Sequence, residues 1–223
     1  MLNIDKIIRT ELSLSEFLTN FINQKLTIYE EVHLEISEIF EGSDYCKAIY
    51  LPESNIIFSK SHEEQEILDT RIAHELIHLS MRNEGYDELL QQDDLSTSLA
   101  NLLDHIIIYR RLNGNGFNIS EDFEMVYNTW EVHSLNFIDL LKQGDDARSY
   151  VIITMINDLV RMSGINDTYS ALIPTNLNEA YMIAQTIYDN VKEADTPDLI
   201  DDAKKFIELS LQIEPPTVWK RFF

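Results

Sequence analysis

Residues 61–85 read "SHEEQEILDTRIAHELIHLSMRNEG", and the fold of this stretch decides the fold of everything around it. Ser61-His62-Glu63-Glu64 has the form of a capping box, in which the serine accepts a backbone N–H three residues on and the glutamate reaches back. No proline interrupts residues 65–84, and Gly85 can adopt the left-handed conformation that ends a helix. The stretch therefore predicts one helix over 62–84. Its middle, Ile72-Ala73-His74-Glu75-Leu76-Ile77-His78-Leu79, is apolar except for two histidines and a glutamate. A helix of this kind belongs in an interior, where three such groups without partners would cost several kcal/mol.

Upstream the period changes. Ser13-Leu14-Ser15-Glu16 predicts a capped helix to about Leu26, with Leu14, Phe17, Leu18, Phe21 and Ile22 inward. In "TIYEEVHLEISEIF" (27–40) apolar residues then alternate through Val32, Leu34 and Ile36, and "YCKAIYLP" and "NIIFSK" are β-rich runs separated by Pro52-Glu53-Ser54. These runs predict two or three antiparallel strands between 28 and 60. Downstream the pattern is helical throughout: Leu95 to Leu112, ended by "NGNG"; Ser120 to Gln143; Asp146 to Ser163; Asn176 to Lys192; and Thr196-Pro197 to Ile213, stopped by Pro215-Pro216. The fold class is α+β, a short antiparallel sheet over about 28–60 followed by a mainly helical body with the active-site helix at 62–84. One domain over 1–223 is expected, with 113–223 as its helical C-terminal part; "NGNG" is an ordinary helix connection.

Composition excludes several classes. With 44% hydrophobic residues in 223, the chain can bury a sizeable core. Its 39 acidic against 17 basic residues give a net charge of -22, a field that repels phosphate backbones and anionic lipid, so neither nucleic acid nor membrane is expected as a partner. Cys46 is alone, no signal-like apolar block opens the sequence, and no apolar run reaches the ~18 residues a membrane span needs. A cytoplasmic setting is expected.

The chemistry rests on His74-Glu75-Leu76-Ile77-His78. Residues four apart on a helix share a face, about 5.4 Å apart along the axis, so both imidazoles can meet one tetrahedral Zn²⁺. Glu75, turned to the side, can take a proton from a zinc-activated water and pass it to a leaving amine. The run over 72–79 resembles the active-site helix of zincin metallopeptidases, most like a small gluzincin-type intracellular one, and "AIYLPESNIIFSK" (48–60) is similar to the strands that precede that helix. The resemblance implies zinc as cofactor, His74 and His78 as ligands, Glu75 as general base, a protein or peptide substrate, and a sheet edge that aligns it. Beyond residue 112 no resemblance extends.

A catalytic zinc also needs a third protein ligand. Glu84 follows His74 by ten residues, the spacing of a third ligand in metzincins, but Met81 stands where their turn-forming glycine would be, so Glu84 ranks last. In "SLANLLDHIIIYRRL" (98–112), Asn101, Asp104 and His105 form a polar stripe on a strongly apolar helix. Asp104 or His105 would close the site, the carboxylate ranked first and the other orienting a ligand histidine. Tyr109 and His133, then Tyr127, Arg110 and Arg111, are candidates for stabilising an oxyanion; His33 and His62 read as surface residues. The competing function is a non-catalytic, mainly helical interaction protein whose acidic surface binds a basic partner. Oligomeric state leaves no mark in the sequence.

Overall fold

The computed structural model describes residues 8–10, 12–29, 31–36, 48–51, 56–59, 65–86, 94–162 and 166–213. The capping box at Ser61, His62, the Pro52-Glu53-Ser54 break, Cys46 and the tail from Pro215 lie outside them. The chain forms two compact units, Met1–Tyr86 with Arg111–Ile119, and Asp87–Arg110 with Ser120–Phe223.

The first unit opens with β1 (Ile8–Thr10) and α1 (Glu16–Lys25). The cap of α1 is Ser15 rather than Ser13: its Oγ accepts from Leu18 N at 3.0 Å and donates to the Asp69 carboxylate. Leu18, Phe21 and Ile22 are buried as the pattern predicts, whereas Phe17 stays 47% exposed and turns its ring onto Phe117. Then come β2 (Val32–Ile36), β3 (Ala48–Leu51), β4 (Ile56–Ser59) and α2 (Gln65–Asn83).

The sheet order is β1-β2-β4-β3. Here the expectation of an antiparallel sheet over 28–60 needs correction, because only β3 and β4 pair antiparallel (Tyr50↔Ile57). β1 pairs parallel with β2 (Arg9↔His33), and β2 parallel with β4 (Leu34↔Ile57). The cause is topological: α1 carries the chain back between β1 and β2, and β4 inserts between β2 and β3 instead of β3 folding back onto β2. Alternation still sets the facing, since Val32 and Leu34 are buried while His33 is half exposed beside Glu31.

α2 packs on β3 and β4 and on α1. Ile72, Ala73, Leu76, Ile77 and Leu79 have no exposed surface, so the helix is the interior element its sequence predicts. It ends as predicted at Gly85 (φ 90°): Gly85 N–H bonds Arg82 O and Tyr86 N–H bonds Met81 O, the paired bonds of a Schellman stop.

The second unit is helical among its described residues: α3 (Asp94–Gly114), whose last turn belongs to the first unit, α4 (Ser120–Leu140), α5 (Asp145–Arg161), α6 (Asn166–Leu172), α7 (Asn178–Val191) and α8 (Pro197–Leu211). The mainly helical body is therefore observed. α6 has no counterpart among the predicted helices, and α4 stops three residues short of Gln143. Buried residues on α5 run from Val151 through Val160 with one gap, because α4 and α7 both pack against it. Thr196 caps α8 through Leu199 N, with Pro197 at the first turn as predicted. α3 stops at Gly116 (φ 82°) with the same bond pair as α2, Gly116 to Asn113 and Phe117 to Leu112, and Phe117 then meets Phe21.

Candidate metal centre

On α2 the helical repeat sets His74 and His78 one above the other, with ring centroids 5.3 Å apart. Both imidazoles are partly buried on a helix whose residues Ile72, Ala73, Leu76, Ile77 and Leu79 have no exposed surface. Asp104 and His105, the two candidates for a third ligand, are adjacent and both partly buried on α3.

His105 is fixed by Asn157 on α5. The Asn157 Oδ1 lies 3.1 Å from His105 Nδ1, and its Nδ2 donates to Ser98 O at 3.4 Å. Tyr109 stacks edge-on against the same ring, centroids 5.5 Å apart, and is itself buried. Glu75 is partly buried on α2, one position past His74.

Two other sequence candidates have different occupations. Glu84 is held by Arg111 through two bonds, at 2.5 and 3.2 Å, and accepts from Ser80 Oγ at 2.6 Å. Ser80 Oγ in turn accepts from Thr27 N, so Glu84 and Arg111 tie α2 to the residues after α1 within the first unit. Arg110 is engaged by Glu193, through both its carbonyl and carboxylate, and by Asp195. Tyr127 is 54% exposed. His133 on α4 contacts Phe137, and burial, then the Arg161 charge, hold its pKa below the usual histidine value.

Sequence reasoning missed Asn157 and its neighbour Asp158. Both interrupt the apolar run "VIITMINDLV" (151–160), the same signal that singled out Asp104 and His105. Asp158 is buried and accepts from Tyr169 Oη at 3.1 Å. Burial pushes its carboxyl up to about 6, against the pull of Arg161 and of the Tyr169 hydrogen bond. Tyr169 is pushed well above the ordinary phenol value, by burial first and then by Asp158.

Among the described residues no helix is long and apolar enough to cross a membrane. No protein-family model, no curated protein and no solved structure matches this chain.

Proposed function

We propose that the chain is a zinc-dependent metallopeptidase that hydrolyses peptide bonds of a protein or peptide substrate. The observation that carries this reading is a pair of imidazoles one turn apart, ring centroids 5.3 Å from each other, on the interior helix that also bears Glu75. Three imidazole donors without a thiolate suit a borderline cation, and a tetrahedral ion with three protein ligands keeps one position for a reactant. When bound, zinc supplies a Lewis acid that lowers the pKa of water to about 7 and polarises a carbonyl. His74, His78 and His105 would hold it. Glu75, turned about 100° from His74 around the helix, is the base that takes the proton of the attacking water and gives it to the leaving amine. Among the described residues β3 is an edge strand, and α2 packs on it, which suits backbone pairing with an extended peptide.

Metal analysis of protein purified without chelator tests the reading directly. One zinc per chain is expected, lost in His105→Ala and kept in Asp104→Ala. Glu75→Gln should keep the metal and lose peptide hydrolysis by a factor of about 10² or more. Substoichiometric metal in the wild type would sink the proposal. The net charge of -22 favours a second reading, the non-catalytic interaction protein with a basic partner. Stoichiometric metal without hydrolysis of peptide substrates, together with salt-sensitive binding of a basic protein, would select it.

A further inference from the structure

We infer that Asn157 is a positioning residue for the metal centre: it fixes the proton of His105 on Nδ1 and so leaves the lone pair on Nε2. The inference rests on the proposed metal site, but its basis is hydrogen-bond chemistry inside the second unit. An amide side chain has one end that only donates and one that only accepts. The Ser98 carbonyl can only accept, and Asn157 reaches it at 3.4 Å, so the end of Asn157 turned to Ser98 is Nδ2. The end turned to His105, 3.1 Å from Nδ1, is then Oδ1, which accepts. Nδ1 must therefore carry the hydrogen. A neutral imidazole with its hydrogen on Nδ1 offers Nε2 as its metal donor, and a partner that holds the first nitrogen also fixes the plane of the ring.

Asn157 is suited to that role by its surroundings. It is 9% exposed, between the buried Ile156 and Asp158 on α5. The edge-on ring of Tyr109 holds His105 from another side. The position also calls for a polar residue: an apolar side chain would fill the same space in α5 and take this acceptor away from His105 Nδ1.

The experiment has two independent arms. In metal-free wild-type protein at mildly alkaline pH, the ring-nitrogen NMR shifts of His105 should report hydrogen on Nδ1; hydrogen on Nε2 overturns the inference whatever the protein binds. Zn²⁺ affinity is then measured by competition with a chromophoric chelator, and the visible spectrum of the Co²⁺ form is recorded, in wild type, Asn157→Leu and Asn157→Asp. Leucine should weaken Zn²⁺ binding about 10- to 100-fold and alter the Co²⁺ spectrum, while aspartate, which keeps the acceptor, should hold the metal within a few-fold of wild type. Unchanged affinity in Asn157→Leu overturns the inference, as does a loss in Asn157→Asp equal to that in the leucine variant. If Asn157→Leu does not fold, the aspartate variant and the wild-type tautomer still decide. Wild-type protein that binds no Zn²⁺ would remove the proposed function, while the tautomer measurement would judge Asn157 separately.

Discussion

Replacing Asp158 by asparagine tests how the second unit carries a buried carboxylate. In the folded chain its pKa is raised to about 6 from 3.8, chiefly by burial. Below pH 3.8 the group is protonated folded or unfolded and contributes no pH-dependent term. As pH rises through the window from 3.8 to about 6 the unfolded chain releases this proton while the folded chain keeps it, so stability falls. Above about 6 the loss is complete and constant. A difference of about 2 pKa units at ~1.36 kcal/mol each gives a penalty of about 3 kcal/mol at neutral pH. In Asp158→Asn the Tyr169 hydroxyl still has an oxygen to donate to, and the pH-dependent penalty vanishes. The new amide N–H₂ needs a partner, an offset that does not vary across this window, and the Arg161 attraction is already contained in the pKa of about 6. Urea unfolding of the two proteins at a series of pH values should therefore give stability curves that separate in the variant's favour by about 3 kcal/mol as pH rises from below 3.8 to above 6. Curves that run parallel, or that separate the other way, would refute the assignment of a raised carboxyl.

Two further substitutions test the first unit. Arg111→Ala removes both bonds to Glu84 and leaves a carboxylate, 24% exposed, facing Ser80; a loss of about 1–3 kcal/mol in urea unfolding is expected, and a loss under about 0.5 would mean the pair behaves as an ordinary surface ion pair. Leu76→Ala opens a cavity at a position with no exposed surface and should cost about 2–5 kcal/mol, read as a fall in melting temperature and urea midpoint.

The helix carrying His74 and His78 was legible because several local signals agreed. Its apolar residues left nowhere but an interior to put it, and Gly85 could stop it by taking φ 90°. Strand positions were legible for the same reason, since alternation at Val32, His33 and Leu34 says which side is inward. Strand order was not. A pleat specifies a face but no neighbour, and β4 lies between β2 and β3 for reasons of chain path that no residue in the strands encodes. β1, with three residues, and α6, with seven, are too short to show a period.

The choice between Asp104 and His105 was illegible for a more specific reason. Asp104 and His105 are neighbours on α3, about 100° apart around the helix, and only the rotation of α3 about its axis determines which of them faces a given partner. A helix with one apolar stripe announces its rotation. α3 buries Leu102, Leu103, Ile106, Ile107, Ile108 and Tyr109, which between them cover most of its circumference, so its own pattern selects no face. The rotation is instead tied to partners far along the chain: Arg111 is clamped by Glu84, 27 residues earlier, and His105 by Asn157, 52 residues later. A sequence read one helix at a time contains both halves of each clamp but nothing that pairs them, so His105 and Asn157 each showed as a polar break in an apolar run and only the packing of α3 and α5 joined them.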